Sequence, residues 1–244
     1  MGLRAAFFDV GDTLVEHWAE RDVVRAKTRE RLLEALGEHD WLEELVDADI
    51  EPAEMRGGWP FVPEQARQET LRWYEDWFRG RDIDPDAIDL DRIRALATLP
   101  LDEVSTPVPG AFDALRWCAD RGLRVVLVTN TLYRGDEEVI EDWRRFGLGD
   151  AIHGVVSSHT AGWRKPHPAI FERALEVAAA KPGEAFHVGD NLVADVWGAK
   201  QLGLRAVWRR TASSEEHPPV DVRPDAVVRD LTELPAVVER WLAA

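Results

Sequence analysis

The feature that most constrains the fold of this chain is an alternation of short apolar segments with helical patterns. From about Ser105 onward, four apolar segments have the length and composition of buried strands, and helical patterns separate them. These segments are LRVVLVTN, IHGVVSS, EAFHVGD and LRAVWR, and a fifth, LRAAFFD, ends much earlier in the chain at Asp9. Strands that alternate with helices of about 10–15 residues are typical of βαβ units and of a parallel sheet covered on both faces. The sequence therefore predicts an α/β fold.

A long helical stretch separates the first strand from the others. Between about Glu20 and Thr98 the pattern is helical, as in RDVVRAKTRERLLEALG and PEQARQETLRWYEDWFRG, with no convincing strand. Connections within an α/β domain usually run about 2–6 residues, so this stretch is better explained as an inserted domain. The predicted domains are an α/β core, residues 1–16 and 105–244, and an all-helical cap domain, residues 17–104.

The predicted cap carries a heavy load of tryptophan, namely Trp18, Trp41, Trp59, Trp73 and Trp77. Tryptophan buries a large apolar area, so packing in a helical core is the simpler interpretation. A substrate pocket lined by some of these rings is the alternative. Trp73 and Trp77 lie four residues apart and share a helix face, which suits either role.

Composition and charge exclude several classes of function. The formal net charge of −16 argues against a general nucleic-acid-binding protein and against adhesion to anionic membranes. No apolar run approaches the roughly 20 residues that span a bilayer. The single cysteine, Cys118, can form no intrachain disulfide and lies in an apolar helical run, where a packing role is expected. We expect a cytoplasmic protein, a monomer or homodimer, whose partner is a small molecule.

Polar residues gather at the carboxyl ends of the predicted strands, where open α/β sheets bind their ligands. These residues are Asp9, Asp12 and Thr13 after the first strand, Thr129 and Asn130 after the second, Lys165 past the third, and Asp190, Asn191 and Asp195 after the fourth. Several carboxylates at one sheet edge repel one another unless a cation neutralises them, and hard oxygen ligands favour Mg²⁺. A carboxylate can also act as a covalent nucleophile. The pattern thus predicts a Mg²⁺ site beside a nucleophilic carboxylate.

These four blocks, in this order and with a helical insert after the first, resemble the haloacid dehalogenase superfamily with a C1-type cap and a Rossmann-like core. The resemblance implies that Asp9 is the nucleophile and that Lys165 is the motif lysine. It implies Mg²⁺ as the cofactor, with three protein ligands. The implied ligands are Asp9, Asp190 and the backbone carbonyl of Gly11. Asp195 is expected to contact a metal-bound water or Lys165 rather than the ion.

The resemblance also implies a reaction, which is phosphoryl transfer from a small phosphorylated metabolite to water through an aspartyl-phosphate at Asp9. Thr129 matches the phosphate-contacting residue of the second motif. The predicted substrate-binding residues are Thr129, Asn130 and Lys165. Asn130 is expected to stabilise the loop or the nucleophile rather than to act in catalysis.

The first motif departs from the usual phosphatase pattern Asp-x-Asp-x-Thr. In the superfamily, the residue two places after the nucleophile protonates the leaving group, and Gly11 cannot do this. Three hypotheses remain open: Asp12 reaches the site and replaces the acid, Asp12 is structural in an Asx-type turn, or the protein has little hydrolytic activity. His17 is a speculative replacement acid, although simple exposure is the expectation for it.

The departure at Gly11 also keeps other functions open. Haloacid dehalogenases lack the acid, but their fourth motif typically carries Ser and Asn where this chain has Gly189 and Asp190. Phosphonatases have a small residue in place of the acid and use a cap lysine, for which Lys27 is the candidate, although a solvated Lys27 is expected. Outside catalysis, the alternative is a binding or regulatory protein that keeps the fold.

Overall fold

A six-stranded sheet forms the centre of the molecule, and the computed structural model describes residues 2–17, 19–48, 66–131, 134–212 and 221–243. The strands of the described residues are β1 (Ala5–Phe8), β2 (Val15–His17), β3 (Ser105–Pro107), β4 (Arg124–Thr129), β5 (Gly154–Ser157), β6 (Ala185–Gly189), β7 (Arg205–Arg209) and β8 (Ala226–Val228). The central sheet has the order β5-β4-β1-β6-β7-β8, and every pairing in it is parallel. The predicted α/β, Rossmann-like core is confirmed. Only β8 of this sheet escapes the sequence analysis, because a three-residue edge strand is too short to show a period.

Helices follow the strands as the alternation predicts. They are α1 (Arg21–Leu36), α2 (Leu42–Asp47), α3 (Ala66–Arg79), α4 (Leu90–Ala97), α5 (Leu101–Val104), α6 (Ala111–Asp120), α7 (Asp136–Arg145), α8 (Ser158–Ala161), α9 (Pro168–Ala178), α10 (Gly198–Gln201) and α11 (Leu234–Leu242). The segment predicted as one helix after β6 begins instead with a π-helical turn, Leu192–Trp197, which leads into α10.

The sheet is apolar on both faces, because strands of a covered parallel sheet are buried on two sides. All four residues of β1 are buried. Phe8 packs with Leu115 of α6 and Trp143 of α7 on one face, whereas Phe7 packs with Phe171 of α9 on the other. Each such ring contributes about 1.5–3 kcal/mol by its burial. This packing fixes the carboxyl edge of the sheet, where the polar residues lie.

The two segments that join the core to the helical insert are paired strands. β2 and β3 form a separate antiparallel sheet in which Val15 lies opposite Pro107 and His17 lies opposite Ser105. Neither strand was predicted from the sequence pattern, and the predicted start of the cap, after residue 16, falls inside β2. The strands are too short for a periodic pattern, and their pairing joins residues that are distant in the sequence.

The helices of the insert pack around their own apolar cluster. Its buried members are Leu32, Leu42, Leu45, Val46, Tyr74, Phe78 and Ile93. Trp41, Trp73 and Trp77 pack against this cluster and are partly buried. The Trp41 and Trp77 rings contact Phe78 edge-on, with centroids 5.1 Å and 5.0 Å apart. These three tryptophans therefore serve the helical core, whereas Trp18 and Trp59 lie outside the described residues.

Polar contacts join the insert to the core. Arg94 of α4 is buried and donates to Glu138 of α7 at 2.9 Å, and Arg145 of α7 donates to Asp102 of α5 at 2.8 Å. Elsewhere in the core, Cys118 is fully buried, and burial raises the pKa of its thiol to about 12, in agreement with a packing role. None of the described helices has the length and apolar character that crossing a membrane requires.

Candidate active site

The strand register brings the chemistry-bearing residues to one edge of the sheet. Phe8, the last residue of β1, lies opposite Leu127 of β4 and Val188 of β6. Asp9 therefore leaves β1 between the ends of its two neighbours, and its N–H donates to the Val188 carbonyl at 2.9 Å. Asp190 directly follows β6 at the same edge. The two acids meet because adjacent parallel strands end level with each other.

Lys165 lies between two carboxylates at this edge. Its Nζ is 2.5 Å from Asp9 Oδ1 and 2.7 Å from Asp195 Oδ1, and the residue is 3% exposed. Burial disfavours the ammonium form, but the charges of Asp195 and Asp9 outweigh burial and raise the pKa of Lys165. Lys165 is therefore a permanent cation at the site. We refer to Asp9, Lys165, Asp190 and Asp195 as the edge cluster.

The carboxylates of the edge cluster differ in their affinity for protons. Burial raises the pKa of Asp9 to about 6, although Lys165 opposes the shift. Burial, together with the charges of Asp195 and Asp9, raises the pKa of Asp190 to about 7. Burial also disfavours the charge of Asp195, but Lys165 and a hydrogen bond from His187 hold its pKa at about 2. The cluster thus carries more negative charge than its one lysine neutralises.

The edge cluster has the donor chemistry of a site for a hard divalent cation. Oxygen atoms of Asp9, Asp190 and Asp195 lie within 4.8 Å of one another. Between the first two, the Thr13 hydroxyl lies 3.3 Å from Asp9 Oδ2 and 3.5 Å from Asp190 Oδ1. A neutral hydroxyl cannot offset their repulsion. An all-oxygen set with surplus negative charge fits the predicted Mg²⁺.

Asp195 is engaged by protein groups on both of its oxygens. Oδ1 accepts from Lys165 and lies 2.9 Å from His187 Nε2, and Oδ2 accepts from the Asn191 N–H at 3.1 Å. A Cβ at position 189 would lie 2.1 Å from Asp195 Cγ, so only glycine at Gly189 permits this position. Asp195 therefore holds Lys165 in place, while its predicted relation to the metal stays a prediction.

Asn130 fixes the backbone of Lys165. Its Oδ1 accepts from the Lys165 N–H at 2.8 Å, and its Nδ2 donates to the Lys165 carbonyl at 3.0 Å. Thr129, the last residue of β4, is buried, and its hydroxyl makes no hydrogen bond within the described part of the chain. The geometry gives Asn130 a role in positioning Lys165, in addition to its predicted role in substrate binding. The Thr129 hydroxyl is available to a ligand.

Comparison with known families identifies this arrangement. The family model described as haloacid dehalogenase-like hydrolase matches residues 3–203. The chain belongs to the haloacid dehalogenase-like hydrolase family. The match covers the entire edge cluster, and the superfamily predicted from the sequence is confirmed.

The proteins similar to this chain include a phosphatase by sequence, and a phosphatase and a dehalogenase by fold. The chain is 34% identical over 140 residues to the glyceraldehyde 3-phosphate phosphatase of Pyrococcus furiosus, an alignment that covers 54% of this chain and 55% of that protein. Its fold is similar to that of a phosphatase of the family from Thermococcus onnurineus, with a TM-score of 0.59, 23% identity and coverage of 97% and 98% of the two chains. A 2-haloacid dehalogenase from Pseudomonas syringae pv. Tomato DC3000 is equally similar, with a TM-score of 0.61, 24% identity and coverage of 98% and 99%. The fold alone does not separate the two activities.

The first motif of this haloacid dehalogenase-like chain adopts a tight turn. Asp12 has a φ of 52°, its carboxylate is exposed, and this carboxylate accepts no hydrogen bond within the described residues. No hydrogen bond of an Asx-type turn is present among the described residues, and the choice among the three hypotheses for Asp12 stays a prediction. Asp12 is near enough to contribute to the raised pKa of Asp190. At Gly11, an added Cβ would meet nothing within 4 Å, and the His17 side chain lies outside the description.

The structure places two further residues at the site for which no role was predicted from the sequence. Thr13 is fully buried between the two acids, and His187 is buried, packs edge-on against Phe171 at 5.2 Å and contacts Asp195. Burial lowers the pKa of His187, which keeps the ring neutral. The available signal for His187 was a polar residue in the otherwise apolar strand AFHVG.

Lys27 is the cap lysine that the phosphonatase hypothesis requires in this family. Its Nζ lies 3.0 Å from Glu103 Oε2, and both side chains are about one-third exposed. Lys27 is therefore engaged in an ion pair, rather than simply solvated as the sequence analysis expects. A Schiff-base role would require Lys27 to leave this partner.

Proposed function

We propose that this chain is a Mg²⁺-dependent phosphatase that transfers the phosphoryl group of a small phosphorylated metabolite to water through an aspartyl-phosphate at Asp9. The observation that carries the proposal is the position of Lys165 Nζ, 2.5 Å from Asp9 and 2.7 Å from Asp195 at the sheet edge. A buried cation beside a nucleophilic carboxylate is placed to stabilise a transferring anionic group. The glyceraldehyde 3-phosphate phosphatase of Pyrococcus furiosus, a 34% identical relative, supports a small phosphorylated substrate.

The proposed reaction has two balanced steps. In the first, an oxygen of Asp9 forms a bond to phosphorus while the bond from phosphorus to the ester oxygen breaks, and the released alkoxide takes a proton from water. In the second, a water molecule attacks phosphorus and loses a proton to the solvent, the bond to Asp9 breaks and restores the carboxylate, and inorganic phosphate leaves. Throughout, Lys165 and the Thr129 hydroxyl would donate to the phosphoryl oxygens.

Asp9, Asp190 and the backbone carbonyl of Gly11 would hold the Mg²⁺ ion. When bound, the ion supplies positive charge that offsets the carboxylates and the phosphoryl oxygens. Asp195 keeps Lys165 at the edge, and Asn130 fixes the Lys165 backbone. The cap, residues 17–104, would close over the edge cluster, exclude bulk water and select the substrate, with hinges near residues 14–20 and 101–109.

The leaving group determines how well such a site works. Gly11 provides no acid where the family's phosphatases have one, and the Asp12 carboxylate is exposed. General acid catalysis contributes about 10²–10⁴-fold. We therefore expect faster turnover of acyl and aryl phosphates, whose leaving groups need no proton, than of alkyl phosphates.

Gly11 also favours a second candidate, hydrolysis of a carbon–halogen bond, because a halide leaves without a proton. Against it, the dehalogenase branch carries serine at position 189, and a side chain there would collide with Asp195 in this chain. The metal requirement discriminates between the two candidates. Dehalogenation should survive EDTA, whereas the proposed phosphoryl transfer should not.

The test is phosphate release from acetyl phosphate, p-nitrophenyl phosphate and a panel of alkyl phosphates, with Mg²⁺ or with EDTA. The matched control is Asp9→Asn, which keeps the shape of the side chain and removes the nucleophile. We expect Mg²⁺-dependent release that Asp9→Asn abolishes.

Release that persists in EDTA or in Asp9→Asn would contradict the mechanism. Chloride release from 2-chloropropionate without Mg²⁺ would favour the dehalogenase candidate. Mg²⁺ binding without turnover of any compound would favour a binding or regulatory protein.

A further inference from the structure

Two adjacent residues at the end of β7 each hold one of the loops that carry the acids. The Trp208 indole Nε1 donates to the backbone carbonyl of Asp190 at 2.8 Å. The Arg209 guanidinium Nη1 donates to the backbone carbonyl of Asp12, in the loop that follows Asp9. Successive side chains of a strand point to opposite faces of the sheet, so one short segment contacts two separate loops.

We propose that Trp208 and Arg209 form a brace that sets the distance between Asp9 and Asp190, and thereby the affinity of the site for Mg²⁺. The inference rests on the proposed function, in which both acids hold the ion. Neither residue contacts an acidic side chain of the edge cluster through a hydrogen bond in the described structure. Both are therefore positioning residues.

The register explains why these two positions can act in this way. Trp208 lies opposite Gly189 of β6, one residue before Asp190, so its indole is level with the start of the acid-bearing loop. Arg209 is one residue further along and reaches past β6 to the loop after β1, which lies two strands away, at about 10 Å. A long side chain with a donor at its end is needed to span this distance.

The loop that Arg209 contacts has an uncommon backbone conformation. Asp12 has a φ of 52°, a left-handed conformation that is uncommon for residues other than glycine. Its peptide adjoins Gly11, whose carbonyl is a predicted metal ligand. The hydrogen bond from Arg209 to the Asp12 carbonyl fixes this peptide, and with it the direction of the neighbouring carbonyl.

The guanidinium of Arg209 is buried but incompletely hydrogen-bonded, which a gain in fold stability does not explain. The residue is 6% exposed, and its Nε is buried without a partner among the described residues. Nη2 has a distant carboxylate partner, Glu16 Oε1 at 3.5 Å, whose side chain is 62% exposed. A buried guanidinium that is only partly paired costs free energy that an apolar side chain would not. Its contact with the Asp12 carbonyl supplies a reason for an arginine at this position.

The experiment measures Mg²⁺ binding to the metal-free full-length chain by isothermal titration calorimetry, together with the melting temperature of each variant. Trp208→Phe removes the indole N–H and keeps an aromatic ring, and Arg209→Met removes the donors and keeps an unbranched apolar chain. We expect each change to weaken Mg²⁺ binding by roughly 10-fold or more, since outer partners of metal sites contribute about 10–100-fold. Arg209→Lys, which retains one donor, should recover part of the affinity.

Matched controls separate positioning from stability. Trp143→Phe removes a buried indole N–H that has no partner among the described residues, and Arg205→Met alters the same face of β7 at the opposite edge of the sheet. Both controls should lower the melting temperature without changing Mg²⁺ affinity.

If the wild type binds Mg²⁺ and the affinities of Trp208→Phe and Arg209→Met lie within twofold of it, the brace is overturned and the proposed function stands. Loss of affinity in the two controls as large as in the brace variants would also overturn it. No Mg²⁺ binding by the wild type would overturn the proposed function and the brace together. A wild type that binds Mg²⁺ but hydrolyses no phosphate, together with brace variants that bind Mg²⁺ more weakly, would support the brace. This outcome would contradict only the proposed phosphatase activity.

Discussion

The edge cluster consists of charged side chains, whereas the helical insert packs around apolar and aromatic ones. The cluster contains three carboxylates and one lysine, of which Asp190 is partly buried and the others are buried, and the pKa values of all four are shifted. The cap packs aromatic and aliphatic side chains around Tyr74 and Phe78, and reaches the core through polar contacts such as Arg94 with Glu138. Buried charge costs stability and is retained where chemistry needs it. This difference supports the proposal that the reaction takes place at the core and that the helical insert selects the substrate.

Lys165→Met is expected to have the largest effect. It leaves Asp9 and Asp195 as buried carboxylates without their cation, which costs about 3–5 kcal/mol of stability. It also removes a donor to the transferring group, so kcat should fall roughly 10²–10³-fold. Denaturant unfolding and acetyl phosphate hydrolysis measure the two effects.

The matched control for this change is Lys200→Met, which breaks an ion pair with Asp225 whose side chains are each 33% exposed. Its effect on both quantities should be small, because exposed pairs contribute about 0–1 kcal/mol. Equal effects of the two lysine changes would contradict the assignment of the reaction to the edge cluster rather than to the rest of the molecule.

Gly11→Asp should have the next largest effect, and in the opposite direction. The position has space for a side chain and no positive φ, so the fold tolerates the change. An acid there should raise kcat for alkyl phosphates by roughly 10²-fold, with little change for acetyl phosphate. Gly183→Asp, which adds the same charge at another open position, is the control. A uniform change for all substrates would show that leaving-group protonation is not what Gly11 lacks.

Mg²⁺ affinity is expected to fall as the pH falls. In the metal-free protein the pKa of Asp190 is about 7 and that of Asp9 is about 6, so protons compete with the ion for both carboxylates. Affinity should be constant above pH 8, decrease between pH 8 and 6, and decrease by up to about 10-fold per pH unit for each protonated acid. Calorimetry over this pH range at constant ionic strength measures it. A pH-independent affinity would mean that these acids do not hold the ion.

Arg94→Met should have the smallest effect on the chemistry. It removes the contact from the cap to Glu138, so closure of the cap weakens and KM for large substrates should rise about 3- to 10-fold. The kcat for acetyl phosphate, which offers little for the cap to bind, should stay within about twofold. Arg92→Met, in the same helix but bonded to Ala35 within the cap, is the control. A large loss of kcat in Arg94→Met would place part of the reactive machinery in the cap.

Much of the fold could be predicted because it follows from local patterns. Each strand from β4 to β7 is a short apolar segment, and each helix between them has a helical pattern of its own. The long helical stretch after Asp9 indicates an insertion. The short strands β2, β3 and β8 could not be predicted, since three residues show no period and their pairing depends on distant partners. The same limit applies to the turn at Asp12, whose exposed carboxylate the sequence analysis assigned to either a catalytic or an Asx role.

The location of Asp9, Thr129, Lys165 and Asp190 at one edge could be predicted from the order of strands in the sequence, because parallel strands all end on the same side of their sheet. Their pairing depends on the packed sheet. Lys165 meets Asp9 across 156 residues, and Arg209 meets the Asp12 carbonyl across 197. Such contacts depend on the register and burial of the packed strands, and burial in turn sets the pKa values. A sequence pattern can indicate which residues form a site. The distances between these residues and their protonation states depend on the folded sheet.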